Sequence, residues 1–249
     1  MNAVATQGPR LYGDLASWFH LLTPPEEYAQ EAEVYRRIIA AHQPRARTML
    51  ELGSGGGNNA SHLKAHFGMT LVDLSPAMLD LSRSINRELE HIEGDMRAMR
   101  LGREFDAVFV HDAIDYMTEE EDLAAVMETA FVHTAPGGMT LLVPDHLRET
   151  FRPGVEHGGQ DGEARSLRNL EWTWDPDPTD DTYLADFAYL LREEDGRVRV
   201  EHDRHVLGLF ARERWLWLLG QAGFKAEIRV EDLGDPQPHE IFVATRPNA

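Results

Sequence analysis

The stretch Glu51-Leu52-Gly53-Ser54-Gly55-Gly56-Gly57 follows the apolar residues Met49 and Leu50 and carries four glycines in five positions. An apolar run that breaks into glycines predicts a buried strand that ends in a loop and leads into a helix. Glycine takes positive φ easily and has no Cβ, so the backbone of such a loop can approach a ligand closely. A loop that opens a helix also points free N–H groups at the ligand. The stretch therefore predicts a binding loop rather than an ordinary turn.

Two carboxylates follow the next two apolar segments, Asp73 in Leu-Val-Asp-Leu-Ser and Asp95 in Gly-Asp-Met. Together with the glycine loop they outline a pocket for a nucleoside that carries a charged tail, and S-adenosylmethionine fits this outline best. A dinucleotide site is an alternative, since an acid follows its Gly-x-Gly-x-x-Gly loop as well. Here the third glycine position holds Asn58, while Glu51 ends the strand and Gly57 extends the glycine run. These departures favour S-adenosylmethionine.

The rest of the chain alternates between apolar strand-like segments and helical periodicity. Such alternation predicts one parallel sheet with helices on both faces. The strands are predicted at 48–52, 69–73, 89–92, 105–110 and 139–143, and the helices at 26–42, 57–67, 76–86 and 119–134. Residues 146–210 break this rhythm with β-like runs and an EDG hairpin signal, which predicts an inserted antiparallel flap. A helix at 211–222 with Gly223 as its C-cap and strands at 225–231 and 239–245 complete a single domain.

Five ordered motifs over residues 48–143 carry a family resemblance: ELGSGGG, LVDLSPAML, EGDMR, FDAVFVHDAIDYM and APGGMTLLV. With them the chain resembles a class I S-adenosylmethionine-dependent methyltransferase. It is more loosely similar to the methyltransferases that dimethylate amino groups on nucleotide-linked deoxysugars, through a Tyr-rich start, GDMR and GLFARERWLWLLGQAGF. The resemblance implies a Rossmann-like sheet, mostly parallel, whose last strand is antiparallel. The expected division is lid helices at 1–44, a cofactor-binding core at 45–145, a substrate flap at 146–210, and the last helix and closing strands at 211–249.

The resemblance and the expected geometry together assign the cofactor site. Glu51 would orient the ammonium group of S-adenosylmethionine, Asp73 would accept the ribose hydroxyls, and Asp95 would accept from the adenine amino group. An N-terminal aromatic residue would close over the cofactor, and Tyr12 is the candidate. The full predicted set is Tyr12, Glu51, Gly53, Ser54, Gly55, Asp73, Leu74, Met78, Gly94, Asp95, Met96 and His111.

The segment after the fourth predicted strand would face the transferred methyl group. His111 and Tyr116 are the candidate catalytic residues, as a base or as orienting groups. The amino-sugar enzymes that the chain resembles carry a histidine where Tyr116 stands here. The predicted acceptor-binding residues are Trp18, Asp112, Asp115, Tyr116 and His146. The number of methyl groups transferred stays open.

Composition narrows the class of partner. The formal net charge is −19, from 43 acidic and 24 basic residues, and such a surface repels nucleic acid. There is no cysteine, no apolar run long enough to span a membrane and no visible secretory signal. No compact histidine cluster suggests a metal, because His202 and His205 fall in a predicted strand and point to opposite faces. We expect a cytoplasmic enzyme with a small-molecule acceptor, no nucleic-acid or membrane partner and no metal, and we allow for a homodimer.

The preferred function is methyl transfer to an amine on a small molecule. Small-molecule O-methylation, a non-catalytic S-adenosylmethionine or nucleoside sensor and a nicotinamide-dependent dehydrogenase remain as alternatives. An intact Gly-Asp-Met turn fits an enzyme and a sensor equally well.

Overall fold

The computed structural model describes residues 8–234 and 237–248. Within these ranges, two sheets are built from eleven strands: β1 (Thr48–Leu52), β2 (Gly68–Asp73), β3 (Glu90–Glu93), β4 (Phe105–His111), β5 (Thr134–Val143), β6 (Gly154–Gly158), β7 (Ser166–Trp174), β8 (Thr182–Arg192), β9 (Val198–Gly208), β10 (Lys225–Glu231) and β11 (His239–Thr245). The α-helices are α1 (Phe19–Leu22), α2 (Ala29–His42), α3 (Asn58–Leu63), α4 (Pro76–Ile85), α5 (Glu120–His133) and α6 (Arg212–Ala222).

The larger sheet of the described residues has the order β10-β11-β5-β4-β1-β2-β3. β1 pairs in parallel with both β2 and β4, and only β11 runs against its neighbours β5 and β10. The central strand β1 is buried at every position after Thr48, as expected for a parallel strand covered on both faces. The prediction of a Rossmann-like, mostly parallel sheet with a reversed last strand is confirmed.

Helices cover both faces of this sheet. α5 and α6 pack on one face through residues such as Leu123 and Trp215, and α2 and α3 pack on the other through residues such as Ile39 and Leu63. The C-cap Gly223 has φ 106° and lies in the left-handed region, which confirms its predicted role. None of the helices in the described ranges is long and apolar enough to cross a membrane.

Some predicted bounds were wrong. The first core helix begins at Ala29, because Pro25–Tyr28 forms a 3-10 turn. The helix predicted at 57–67 ends at Leu63, since residues 64–67 turn the chain back toward β2. β5 begins at Thr134 rather than at Met139.

The flap is a separate four-stranded antiparallel sheet of order β6-β7-β8-β9, which confirms the predicted insertion. β6 was not predicted, because all five of its residues are exposed and its sequence, GVEHG, shows no apolar alternation. Along β8 alternate residues are buried, beginning with Tyr183 and ending with Leu191. This buried face holds the N-terminal segment, defined here as residues 8–22, through Leu11, Leu15 and Trp18. The four-part division of the chain at residues 44, 145 and 210 stays a prediction, and residues 1–7 of its first part lie outside the described residues.

Candidate active site

The glycine loop turns sharply between β1 and α3. Gly53, Gly55 and Gly57 have φ of 74°, 52° and 76°, values at which a side chain is strained. A Cβ on Gly53 would lie 2.3 Å from the Cβ of Ala113. The loop therefore needs glycine both for its backbone conformation and for its close approach to the segment after β4.

Asp73 ends β2 and holds the glycine loop in place. Its Oδ2 accepts a hydrogen bond from the Gly55 N–H at 2.7 Å, and its Oδ1 accepts from the Ser75 N–H at 2.8 Å. Burial raises the pKa of Asp73, while the backbone N–H groups of Ser75 and Gly55 oppose this shift. The carboxylate thus has a structural role in addition to its predicted contact with the ribose.

Glu51 is a buried acid with an unused acceptor. Its Oε2 has no hydrogen-bond partner among the described residues. Burial raises the pKa of this carboxyl to about 8, and the charges of Asp73 and Glu31 add to the shift. A buried oxygen without a partner is costly, and the ammonium group of a methionine moiety would satisfy it. The predicted role of Glu51 thus has a physical basis.

A cavity of about 930 Å³ opens beside these residues. This volume lies within the roughly 300–1,000 Å³ that small-molecule sites occupy. It lies where the carboxyl ends of β1, β2 and β4 meet, the usual ligand position in an open α/β sheet. The predicted residues that line it are Tyr12, Glu51, Gly53, Ser54, Gly55, Asp73, Leu74, Gly94, Asp95, Met96, His111, Asp112 and Tyr116.

Asp95 reaches this cavity with its carboxylate already paired. Arg97 donates to both of its oxygens, with an Nη2–Oδ2 distance of 2.7 Å and an Nε–Oδ1 distance of 3.0 Å, and also donates to Asp122 at 2.8 Å. The Arg97 guanidinium holds the pKa of Asp95 below its usual value. Asp95 is therefore a fixed, ionised acceptor, which suits the predicted bond from an adenine amino group.

His111 ends β4 among acids and aromatic rings. Its Nδ1 lies 2.9 Å from Asp112 Oδ1, and its Nε2 lies 3.7 Å from Glu31 Oε1. Burial raises the pKa of Glu31 to about 7. Asp112 has φ 30°, the one positive φ at a non-glycine residue within the described ranges. Such strain costs on the order of 1–3 kcal/mol and tends to occur at functional sites.

A chain of hydrogen bonds joins the flap to the cavity. The hydroxyl oxygens of Tyr12 and Tyr116 lie 2.8 Å apart, and Tyr116 Oη lies 2.8 Å from His205 Nδ1. His205 Nε2 lies 3.1 Å from Asp203 Oδ2, which also accepts from the Leu11 N–H at 2.9 Å. Burial opposes ionisation of Asp203, but its hydrogen bonds from His205 and the backbone lower its pKa overall. Two of these four side chains line the cavity, and two come from β9.

Comparisons with known proteins identify the family. Residues 49–138 match the methyltransferase domain family. The dTDP-3-amino-3,4,6-trideoxy-alpha-D-glucopyranose N,N-dimethyltransferase of Streptomyces venezuelae is 32% identical over 222 residues, which cover 88% of this chain and 91% of that protein. The chain belongs to the class I S-adenosylmethionine-dependent methyltransferases. S-adenosylmethionine is its methyl donor.

Two further similarities extend over nearly the whole methyltransferase. The dTDP-3-amino-3,6-dideoxy-alpha-D-glucopyranose N,N-dimethyltransferase of Streptomyces fradiae is 26% identical over 263 residues, covering 97% of this chain and 95% of that protein. The X-ray structure of the sugar N-methyltransferase KedS8 from a Streptoalloteichus species superposes with a TM-score of 0.83 at 27% identity, covering 100% of this chain and 97% of that one.

Four residues predicted for the methyltransferase site do not line the large cavity. Met78 is fully buried on α4 beneath the glycine loop. Trp18 packs in the flap, where the Arg165 guanidinium lies 4.4 Å from its ring centroid. Asp115 is buried and accepts from the Asp145 N–H at 2.7 Å. His146 lines a second cavity of about 400 Å³. These four side chains lie outside the cavity lining that the sequence predicts for them, and their roles stay predictions.

His205 and Asp203 are the functional candidates that the sequence alone did not identify. His205 is buried while His202, three positions before it, is exposed, as the predicted alternation requires. That alternation places His205 on the inner face of the flap. Its partner Tyr116 lies 89 residues earlier, so no local pattern connects them.

Proposed function

We propose that this methyltransferase transfers methyl groups to an amino group on a nucleotide-linked deoxysugar. The observation that carries the proposal is that the similarity to the Streptomyces venezuelae enzyme covers 88% of this chain, far beyond the domain match at residues 49–138. A similarity of this extent reaches well beyond the cofactor-binding core, and in this chain the N-terminal segment contributes Tyr12 and Phe19 to the cavity wall. That relative is named for an N,N-dimethylation of a dTDP-linked amino sugar.

The predicted roles of the site residues support the proposal. Glu51, Asp73 and Asp95 provide acceptors for the ammonium, ribose and adenine groups of the donor, in the order of their strands. His111 and Asp112 line the side of the cavity at the end of β4, with Glu31 behind them. An acid-rich wall suits an acceptor that arrives as an ammonium ion. Positioning the neutral amine in line with the methyl group would provide much of the rate enhancement.

An acceptor screen tests this proposal. Isotopically labelled S-adenosylmethionine is mixed with dTDP-linked amino sugars, with the same dTDP sugars carrying hydroxyl in place of the amine, and with free amino sugars. We expect labelled product only with the nucleotide-linked amines. Methylation of the hydroxyl sugars alone would contradict the amine assignment, and no turnover of any acceptor would favour a sensor.

O-methylation is the second candidate, because one observation favours it. A hydroxyl acceptor needs a base, and the hydrogen-bonded chain from Asp203 through His205 to Tyr116 could provide one. The hydroxyl sugars of the screen distinguish this candidate from the first.

The proposed partners include a second copy of the chain. Strand alternation leaves apolar side chains exposed on the outer face of the flap, away from the N-terminal segment: Val155, Leu170, Trp172, Leu190, Val198, Val200 and Val206. We propose that two flaps pack through this face. Light scattering would show a dimer for the native chain and a smaller mass for Val200→Asp, and a monomeric native chain would contradict the proposal. The absence of a nucleic-acid partner and the cytoplasmic location stay predictions.

A further inference from the structure

We propose that His205 accepts the proton of the acceptor amine through Tyr116 and Tyr12, so that the flap supplies the proton relay of the reaction. The relay is defined as Asp203, His205, Tyr116 and Tyr12. The proposal rests on the proposed function, because an ammonium acceptor must lose a proton before its nitrogen has a free lone pair. Each of its three links spans 3.1 Å or less between polar atoms.

The direction of the relay follows from which groups can donate. Ionised Asp203 only accepts, and it already accepts from the Leu11 N–H, so Nε2 of His205 carries the hydrogen. Its Nδ1 then has a free lone pair and accepts from the Tyr116 hydroxyl. Tyr116 in turn accepts from the Tyr12 hydroxyl. The oxygen of Tyr12 keeps a lone pair for a donor in the cavity that both tyrosines line.

Burial separates the inner end of the relay from solvent. His205 is 3% exposed and Asp203 is 5% exposed, so the two tyrosines are the route by which a proton reaches His205 and leaves it again. From the surrounding elements, His205 faces Tyr12 and Tyr116, the ring of Phe187 at 4.7 Å and, beyond it, Tyr189. Asp203 is the carboxylate that stabilises its charged form. The charges of Asp112, Asp145 and Asp73 oppose ionisation of Tyr12, and that of Asp145 opposes ionisation of Tyr116.

The proposed step conserves protons and electron pairs. One N–H proton of the acceptor ammonium passes to Tyr12 Oη, the Tyr12 hydroxyl proton passes to Tyr116 Oη, and the Tyr116 hydroxyl proton passes to Nδ1 of His205. The nitrogen keeps its electron pair and forms a bond to the methyl carbon as the carbon–sulfur bond breaks, leaving that bond's pair on sulfur. A second methylation repeats the step after the relay has released its proton.

His205→Asn separates proton uptake from positioning. An asparagine oxygen can accept from Tyr116 in place of Nδ1 but cannot store a proton at neutral pH. His202→Asn on the exposed face of the same strand is the matched control.

With a dTDP-linked amino sugar as acceptor, we expect kcat of His205→Asn to fall about 10- to 100-fold near pH 7, the lower part of the range for general-base catalysis. The deficit should shrink as pH rises, because the amine then loses its proton to solvent. KM values should change little, and His202→Asn should match the native enzyme.

Asp203→Asn adds a second readout. Its single oxygen can still accept from the Leu11 N–H and from Nε2 of His205, which share one oxygen of Asp203, but an amide carries no charge that would stabilise a protonated His205. We expect a similar pH-dependent loss of kcat with unchanged donor affinity. If His205→Asn keeps the native kcat and pH profile on an amine that the native enzyme methylates, the relay is overturned and the proposed function stands. If the native enzyme methylates no amine, both are overturned.

Discussion

The carboxylate of Asp73, at the end of β2, accepts a 2.7 Å hydrogen bond from the N–H of Gly55 in the loop after β1. One side chain therefore positions the glycine loop and presents acceptors to the donor. Because both roles belong to Asp73, substituting it changes the loop as well as the contact with the donor. A test of donor binding therefore needs variants that separate the two effects.

We predict that Asp73→Ala weakens S-adenosylmethionine binding by roughly 10- to 100-fold, since charged hydrogen bonds contribute about 1.5–3 kcal/mol. It should also lower the melting temperature, because the N–H groups of Gly55 and Ser75 lose their acceptor. Asp73→Asn keeps one acceptor oxygen, so it should lose less stability than the alanine variant. Titration calorimetry and thermal melting measure the two effects.

Asp80→Asn is the control, because Asp80 is an exposed acid on α4 whose carboxylate lies 2.7 Å from the Arg83 guanidinium. It should leave donor affinity unchanged. Native affinity in Asp73→Ala would remove Asp73 from the donor site.

Much of this site could be predicted from sequence because it is built locally. Gly53, Asp73, Asp95 and His111 each lie at or just beyond the carboxyl end of a parallel strand, and parallel strands bring those ends together. The position of each strand in the sequence therefore predicts which residue reaches the site. The roles of the individual side chains remain predictions.

The acceptor side could not be predicted in this way. Tyr116 meets His205 only because β9 folds back over the segment after β4, a pairing across 89 residues. Trp18 is an aromatic residue of the kind that often lines a pocket, but the flap buries it against Arg165. β6 lacks the alternation of apolar and polar residues that marks a strand. Long-range packing decides each of these positions.

We predict that donor binding releases a proton near pH 7. Burial raises the pKa of Glu51 to about 8 in the free protein, so its carboxyl is mostly protonated at neutral pH. An ammonium group placed beside it favours the ionised form and lowers that pKa. Binding should therefore strengthen as pH rises toward 8. Calorimetry in two buffers of different ionisation enthalpy counts the released protons.

Glu51→Gln provides the comparison for this proton release. It keeps the side-chain shape but has no proton to lose, so its binding enthalpy should no longer depend on the buffer. Equal release in the native protein and Glu51→Gln would assign the proton to another group.

We predict that the free protein loses stability as pH rises from 6.5 to 8.5. Burial raises the pKa of Glu31 and Glu171 to about 7 and that of Glu51 to about 8, from an ordinary 4.5. These acids are already ionised in the unfolded chain at pH 6.5, so the folded state holds more protons. Stability then falls as each folded-state pKa is passed. Burial lowers the pKa of His146 to about 4, and this shift changes the stability mainly below pH 6.5.

Urea unfolding at the two pH values measures this loss. Glu171→Gln should reduce the pH dependence without affecting donor binding, because Glu171 lines the second cavity. A free energy of unfolding that rises over this range would show that these carboxyls do not stay protonated in the folded protein.

We predict that residues 11–22 become more protected from hydrogen exchange when S-adenosylmethionine binds. This part of the N-terminal segment consists of short helical turns held to the flap by Leu11, Leu15 and Trp18. The Ser75 hydroxyl, at the start of α4, donates to the Tyr12 carbonyl at 2.5 Å, and Tyr12 lines the cavity. A ligand that contacts Tyr12 and the end of β2 would join these two parts, and local opening would become rarer. Ser75→Ala removes the hydrogen bond from the Ser75 hydroxyl to the Tyr12 carbonyl and should reduce the added protection. If exchange in the native protein does not change when the donor binds, the N-terminal segment does not act as a lid over the donor.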